Sequence, residues 1–138
     1  MRFLANNDIG HVVGQRSSAA GFQIFIYSEG VIADIGIDWG VGDINNSGQL
    51  VGSFDKEGIS TGYLYEDGVL YDLNDLISDT RWHIIEALDI NNSGLIVGRG
   101  IDPEGYDRAF ILTPLLHLPT TPVFPNPEHT RYCFLVWL

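Results

Sequence analysis

Short apolar segments alternate with glycine-containing polar turns along most of the chain. Residues 62–65 are followed by the turn Glu66-Asp67-Gly68, and the apolar residues 69–73 come directly after it. Two short apolar runs around a turn that ends in glycine predict a β-hairpin. Residues 82–90 are also rich in apolar and β-branched side chains and end at a cluster of asparagine, serine and glycine, which predicts another strand.

One nine-residue phrase occurs three times and sets the period of this pattern. It reads NNDIGHVVG from Asn6, INNSGQLVG from Ile44 and INNSGLIVG from Ile90. The first glycines of the three copies, Gly10, Gly48 and Gly94, are separated by 38 and 46 residues. Internal repetition at a period of tens of residues predicts a repeated supersecondary unit.

Each copy of the phrase has the composition of a turn followed by a strand. In the third copy, Asn91 can cap the local backbone and Gly94 can adopt positive φ, as the first and fourth positions of a type I turn favour. Residues 95–97 then form a return strand, and Gly98 marks either a bulge or a close backbone approach. The residues assigned to these structural repeat turns are Asn7, Gly10, Gly14, Asn45, Gly48, Gly52, Asn91, Gly94 and Gly98.

The whole repeat is predicted to contain four strands. An opening strand, the repeated turn and its return strand lead into a polar loop, and a hairpin of two more strands follows. The polar loop covers residues 54–61 in the second copy and 100–107 in the third; because its sequence varies, ligand specificity is expected there. The predicted repeats span about residues 1–38, 39–80 and 81–116.

Both faces of the predicted strands carry apolar side chains. Ile24 and Ile26 alternate with Phe25 and Tyr27, and a sheet that is apolar on both faces must be covered on both. Neighbouring copies supply that cover in a repeat protein. The pattern therefore predicts an all-β fold of three four-stranded antiparallel meanders, stacked as blades of an incomplete β-propeller. A single β-sandwich is the alternative.

Composition and charge narrow the possible functions. A hydrophobic share of 45% supports a folded core, and sixteen glycines suit short strands joined by turns. The net charge of −11 would repel phosphate backbones, so nucleic-acid binding is not expected. No run of about 18 apolar residues occurs, so no membrane-spanning helix is expected. Cys133 is the only cysteine, which excludes an intramolecular disulfide.

Candidate metal ligands and catalytic residues have structural explanations in the sequence. Asp43-Ile44-Asn45 and Asp89-Ile90-Asn91 resemble the start of a calcium loop, but Phe54 and Gly100 stand where the closing glutamate belongs. No metal and no other cofactor is therefore expected. Asp34 and Asp72 occupy equivalent repeat positions, which indicates a structural role. The four histidines, His11, His83, His117 and His129, are not spaced as a metal site.

Three motifs in series carry a family resemblance. The phrase [IN]N-x-x-G-x-[VL]-V-G, the pair Ala109-Phe110 and the motif G-x-[VIL]-x-D-[LI] together cover residues 3–116. In this combination the chain resembles the HAF repeats of bacterial extracellular proteins, although Arg108 stands where that family often has histidine. The resemblance implies β-propeller-like arrays at the cell surface or outside the cell, without assigned catalytic residues. The chain as written starts without a secretory signal, so a cytoplasmic location is expected if it is complete.

The last residues differ in composition from the repeats. Five of the six prolines lie within residues 114–127, which predicts an extended linker. The sequence NPEHTRYCFLVWL from Asn126 resembles the beginning of a PEP-CTERM sorting signal, without its second proline and terminal arginine cluster. Residues 117–138 are therefore interpreted as a Pro-rich linker and an apolar C-terminal tail.

Three repeats are fewer than the roughly four to eight blades of a closed propeller. Flanking repeats or self-association are therefore expected to complete the stack. The function predicted from the sequence is a non-catalytic repeat or binding module whose partner is an unknown protein or carbohydrate. The alternative is a fragment of a glycan-active hydrolase, in which two carboxylates face each other across the propeller mouth.

Overall fold

A computed structural model of the chain describes residues 1–115 and 130–137. These residues form twelve β-strands and one 3₁₀ helix, with no α-helix among them. The first sheet contains β1 (Arg2–Asn6), β2 (Val12–Ser18), β3 (Gly21–Ser28) and β4 (Val31–Ile37). The second contains β5 (Gly40–Ile44), β6 (Leu50–Lys56), β7 (Ile59–Glu66) and β8 (Val69–Asp72), which continues into the 3₁₀ helix Leu73–Asp75. The third contains β9 (His83–Ile90), β10 (Ile96–Ile101), β11 (Asp107–Pro114) and β12 (Tyr132–Trp137).

Each sheet is an antiparallel meander in which successive strands pair with one another. The prediction of an all-β fold with three four-stranded antiparallel sheets is confirmed. The opening strands of neighbouring sheets lie side by side: β1 lies against β5, and β9 packs against β5, β6 and β7. The described sheets do not form a closed ring.

The fourth strand of the third sheet comes from the interval that the sequence analysis treated as linker and tail. Strand β12 pairs with β11, with Thr113 opposite Cys133 and Pro114 opposite Tyr132. Without β12, the edge of β11 would present unpaired backbone N–H and C=O groups. The backbone of residues 132–137 pairs with that edge. The predicted Pro-rich stretch at residues 117–129, including the start of the PEP-CTERM-like motif, lies outside the described residues.

The predicted polar loop of the second repeat, residues 54–61, is mostly strand, so that prediction was wrong. Strands β6 and β7 stay paired through it, with Phe54 opposite Thr61 and Lys56 opposite Ile59. Only Glu57 and Gly58 form the turn, with φ of 54° and 84°. Two residues with positive φ are what a type I′ hairpin turn requires. Polar residues that pair in a solvent-exposed part of a hairpin resemble a loop in sequence. In the third repeat, residues 102–106 do connect two strands.

A small core fills the junction between the first and second sheets. Its buried members are Val13 and Ile24 from the first sheet and Ile44, Leu50 and Tyr63 from the second. Partly buried side chains surround them, and the ring of Trp39 lies 5.0 Å from that of Tyr63, measured between centroids. Much of this junction therefore consists of side chains that retain some contact with solvent.

A larger core fills the junction between the second and third sheets. Its buried members are Val51, Leu64, Leu73, Leu76, Ile77, Trp82, Ile84, Ala87, Ile90, Ile96, Phe110, Leu112 and Tyr132. The start of β12 also reaches the second sheet, because Arg131 pairs with Glu66 at 2.8 Å and the Ser78 amide donates to the Tyr132 carbonyl at 2.9 Å. Within residues 1–115 and 130–137, no helix has the length and apolar character needed to cross a membrane.

Candidate functional site: repeated turns and inner strands

The repeated asparagines form the turns that connect the first two strands of each sheet. In the second sheet, Asn45 Oδ1 accepts hydrogen bonds from the backbone N–H groups of Ser47 at 3.1 Å and Gln49 at 3.0 Å. The Gly48 amide donates to the Asn45 carbonyl at 3.0 Å, which closes the turn. Asn91 makes the same pair of side-chain bonds, to Ser93 and Leu95. The side-chain oxygens of these asparagines are thus engaged by their own backbone.

The first glycine of each phrase meets a backbone requirement. Gly10, Gly48 and Gly94 have φ of 91°, 78° and 84°, a region that side chains with a Cβ rarely adopt. A turn with this positive φ returns the chain directly into the next strand of the meander. These glycines therefore lie where the sequence analysis placed them, at the ends of the repeated turns.

The second glycine of each phrase lies within a strand and makes room for an aromatic ring. Gly14 is opposite Phe25, Gly52 is opposite Tyr63, and Gly98 is opposite Phe110. A Cβ on Gly98 would lie 2.8 Å from the Phe110 ring, and one on Gly14 would lie 2.5 Å from the Phe25 ring. Both roles that the sequence left open for Gly98 are present, because the β9–β10 pairing shifts register between Val97 and Gly98, and a Cβ on Gly98 would collide with the Glu86 carbonyl oxygen of the neighbouring backbone.

Hydrogen bonds between neighbouring turns connect the three sheets. Asn7 Nδ2 donates to the Asn45 carbonyl at 2.8 Å, and Asn45 Nδ2 donates to the Asn91 carbonyl at 3.0 Å. In parallel, the Asp8 amide donates to Asn46 Oδ1 at 2.9 Å, and the Asn46 amide donates to Asn92 Oδ1 at 2.8 Å. We call this arrangement of Asn7, Asp8, Asn45, Asn46, Asn91 and Asn92 the asparagine ladder.

The asparagine ladder was not predicted, although the sequence contains a signal for it. A type I turn explains the first asparagine of the phrase, but it does not require a second one. Asn46 and Asn92 nevertheless recur, and Asp8 replaces them in the first copy. A side-chain oxygen at this position in every copy indicates a bond that each repeat makes to its neighbour.

Two carboxylates face each other where the opening strands β5 and β9 run side by side. Asp43 on β5 faces Asp89 on β9, and these residues occupy the same position in successive repeats. Burial raises the pKa of Asp43 above its ordinary value, and so do the hydrogen bond that the protonated Asp43 carboxyl donates to Asp89 and the negative charge of Asp89. The first repeat has Ala5 at this position, so the pair occurs at one junction and not at the other.

A shallow polar groove lies on the second sheet beside the connection from β4 to β5, at the end away from the repeated turns. Its volume is 370 Å³, and its lining includes Asp38, Ser53, Asp55 and Ser60. Asp38 has φ of 57° and holds the turn into the second repeat, because its Oδ1 accepts a hydrogen bond from the Phe22 amide at 2.8 Å. The groove is open and presents oxygen atoms to solvent.

The equivalent aspartates Asp34 and Asp72 both form ion pairs across their own sheets. Arg16 Nη2 lies 2.7 Å from an Asp34 oxygen, and Lys56 Nζ lies 2.7 Å from an Asp72 oxygen. Burial acts to raise the pKa of Asp72, but hydrogen bonds from Lys56 and Asn74 outweigh it and hold that pKa below its ordinary value. Asp72 also caps the 3₁₀ helix by accepting from the Asn74 amide at 2.8 Å.

The two described histidines lie far apart in the repeats. His11 Nδ1 is 2.7 Å from Asn7 Nδ2 within the first turn, and His83 Nε2 is 3.1 Å from the Ser60 carbonyl. His117 and His129 lie outside the described residues. In the described part of the chain, no group of three or more histidine, cysteine, aspartate or glutamate side chains is arranged to hold a metal ion.

These features define the class of protein as all-β, with three four-stranded antiparallel sheets whose turns are hydrogen-bonded to one another. No protein-family model, curated protein or solved structure matches the chain.

Proposed function

We propose that this chain is a non-catalytic repeat module of a bacterial cell-surface or extracellular protein, and that it binds a protein or carbohydrate through surfaces outside the repeated phrase. The observation that supports this proposal is that the repeated polar side chains form hydrogen bonds within the fold. Asn45, which is only 3% exposed, directs its side chain to its own turn and to the neighbouring sheet. Repeated residues that are engaged in this way build the fold and leave recognition to the residues that vary.

The residues that vary between copies lie at the opposite end of the sheets from the ladder. They include the polar groove lined by Asp38 and Asp55 and the connection at residues 102–106. Hydroxyl and carboxylate oxygens in an open groove suit hydrogen bonding to sugar hydroxyls or to a polar protein surface. We therefore place ligand contacts at this end of the module.

The proposed architecture is an incomplete β-propeller, of the kind that the HAF resemblance implies. Side-by-side inner strands β1, β5 and β9 and apolar cores on both faces of the second sheet support this proposal. A sandwich would contain two facing sheets, whereas this chain has three sheets stacked in series.

The second candidate is a glycan-active hydrolase, which the Asp43–Asp89 pair favours. A raised carboxyl pKa next to a second carboxylate is a feature of glycosidase sites. Hydrogen-bonded carboxylates are, however, closer together than the roughly 5 Å of retaining enzymes or the wider spacing of inverting ones. The pair also lies at a strand junction and does not line the polar groove. We therefore favour the non-catalytic module.

Hydrolysis and binding can be measured on the same set of soluble polysaccharides: xylan, alginate and carboxymethylcellulose. We expect the wild-type chain to release no more reducing ends than heat-unfolded protein does. Retardation in polysaccharide-containing native gels that persists in the double variant Asp43→Asn/Asp89→Asn would identify carbohydrate as the ligand class. Release of reducing ends by the wild type that is lost in this double variant, but kept in Asp67→Asn, which removes an exposed turn carboxylate outside the groove, would establish the hydrolase and overturn the proposal.

A further inference from the structure

The outer face of the first sheet repeats a surface that the second sheet buries. The apolar residues Phe3, Val12, Tyr27 and Ile32 have the repeat positions of Val41, Leu50, Tyr65 and Leu70. In the second sheet, those residues pack in the small core against the first sheet. In the first sheet, Phe3 is 69% exposed and Ile32 is 50% exposed. The first sheet thus presents one half of a junction that the molecule already makes twice.

The outer face of the third sheet presents the other half of that junction. Leu88 has the repeat position of Leu4 and Gly42, and both of these lie against the following sheet. Leu88 is 53% exposed. Val97 is half-buried, although Val51, its equivalent in the second sheet, is fully buried. The two ends of the stack are therefore different surfaces. The outer face of the first sheet corresponds to the face that the second sheet turns toward the first, and the outer face of the third sheet corresponds to the face that each earlier sheet turns toward the next.

The asparagine ladder has a direction, and its two ends are complementary. Four of the five bonds between the described turns are donated toward the next repeat; the fifth, from Asn46 Nδ2 back to Asp8 Oδ2 at 3.3 Å, leaves Asp8 Oδ1 without a bond from it. The third turn therefore holds the onward donors Asn91 Nδ2 and the Asn92 amide, and among the described residues no acceptor meets them. At the other end, the Asn7 carbonyl and Asp8 Oδ1 are in the positions that accept such bonds in the later repeats. Donors stand at the third sheet and acceptors at the first.

From these observations we infer that two copies of this chain associate head to tail. The third sheet of each copy packs against the first sheet of the other, and each junction continues the apolar core and the ladder. Two such junctions, related by a two-fold axis, close a ring of six sheets, which is within the roughly four to eight blades of known propellers. The inference rests on the stacked-blade architecture of the proposed function.

Like faces do not fit together in this way. Pairing two first sheets would bring two Asp8 carboxylates and two sets of acceptors together, and pairing two third sheets would bring donors against donors. Unpaired polar groups and like charges destabilise an interface. The ladder therefore favours the head-to-tail arrangement over pairing of like faces. A second copy supplies both missing halves at once.

The first measurement is the mass of the chain in solution, by light scattering coupled to size exclusion and by sedimentation equilibrium. We expect a single species of about twice the 15.3 kDa of one chain. A folded monomer across the accessible range of protein concentration overturns the inference, and so does an unlimited series of larger polymers, because polymers would show that two copies do not close the ring. Neither result bears on whether the chain hydrolyses polysaccharides, so this inference can fail independently of the proposed function.

Exposed positions allow each face to be blocked without disturbing the fold. Ile32→Asp places a carboxylate on the first sheet, and Leu88→Asp places one on the third. We expect both variants to keep the far-UV circular dichroism of the wild type and to be monomeric. Ile59→Asp is the matched control, since Ile59 is 57% exposed on the second sheet, which is covered on both faces. This control is expected to remain dimeric.

Mixing the two blocked variants tests the direction of the contact. Ile32→Asp keeps an intact third sheet and Leu88→Asp keeps an intact first sheet, so an equimolar mixture can form one complete junction. We expect a heterodimer in the mixture, with weaker association than the wild type has. If one of the two variants stays fully dimeric on its own, like faces are pairing, and the head-to-tail inference is wrong.

Discussion

The two junctions between sheets follow the same plan but differ in how much they bury. Between the second and third sheets, thirteen side chains form a continuous buried core, with Leu64 and Ile84 at 0% exposure. Between the first and second sheets, five side chains are buried, and the remainder of the junction is partly exposed. Burial of apolar surface is the main source of stability, so the second junction is the stronger one.

This difference shows that repeats built on the same plan need not be equally stable. In a stacked repeat protein, each repeat depends on its neighbours, and the stability of the whole approximates a sum over junctions. The first sheet has one junction within the chain, and it is the smaller one. We therefore expect the first sheet to open before the other two, at a lower free energy than global unfolding.

The largest expected effect comes from removing one leucine on either face of the second sheet. Leu50 faces the first sheet and Leu64 faces the third, and both are fully buried. Truncation of a buried leucine to alanine costs about 2–5 kcal/mol of the free energy of unfolding. We expect Leu64→Ala to fall at the upper end of that range and Leu50→Ala at the lower end, because partly exposed neighbours around Leu50 can close over the cavity.

The losses of unfolding free energy from Leu50→Ala and Leu64→Ala are measured by denaturant unfolding. Both variants are made in the Ile32→Asp background, because that substitution removes the inferred self-association. Amide hydrogen exchange then locates the effect. Leu50→Ala should accelerate exchange in β2 and β3 and leave β10 protected, whereas Leu64→Ala should accelerate exchange in β10. Equal losses of protection in the first and third sheets from both variants would mean that the junctions do not differ.

A smaller effect is expected from the ladder. Asn45→Asp and Asn91→Asp both keep the Oδ1 that accepts from the turn but lose Nδ2 as a donor. At position 45 this removes bonds to the Asn91 carbonyl and to Gln49 Oε1, at 3.0 and 2.8 Å, in a residue that is almost completely buried. The expected loss is about 1–3 kcal/mol of the free energy of unfolding.

Asn91→Asp serves as the matched control for this loss. Asn91 is exposed and has no onward ladder bond within the described residues, so its replacement should cost less than about 0.5 kcal/mol in the same Ile32→Asp background. Thermal or denaturant unfolding of both variants makes the comparison. If the two variants lose the same stability, then the ladder bond of Asn45 does not stabilise the junction.

The sequence predicted the three sheets well because each repeated residue has a local reason for its place. A turn position with positive φ favours glycine, as at Gly48, and apolar residues at a period of two predict a strand. These requirements hold within a few residues of one another. They are therefore visible in the chain before any long-range contact is known.

Contacts between distant segments were not predictable in the same way. Strand β12 joins the third sheet from the far side of a Pro-rich stretch, and no local pattern specifies its partner. Asp43 and Asp89 are 46 residues apart in sequence, so only the stacking of β5 on β9 brings them together. The ladder was partly predictable. The repetition of Asn46 and Asn92 indicated a shared role, but it did not identify the neighbouring turn as the hydrogen-bond partner.

The smallest effect is expected from the carboxylate pair that is present at one junction and absent from the other. Asp43 and Asp89 oppose each other between the second and third sheets, whereas the first repeat has Ala5 in the equivalent place. Burial and the neighbouring carboxylate raise the pKa of Asp43 in the folded state, so ionisation of this group destabilises the fold as pH rises through that raised pKa. Asp43→Asn should therefore stabilise the chain at neutral pH by less than about 1 kcal/mol, since the pair is largely solvated.

The gain from Asp43→Asn should shrink as the pH falls through the raised pKa and vanish below the ordinary aspartate pKa of 3.8, because Asp43 is then neutral in both the folded and the unfolded wild type. Denaturant unfolding of wild type and variant between acidic and neutral pH tests this dependence. Asp55→Asn removes the same charge from an exposed hairpin, and should leave the pH profile close to that of the wild type. A gain for Asp43→Asn that stays constant with pH would show that the repulsion between the two carboxylates is not its cause, and that the stronger junction carries no electrostatic penalty.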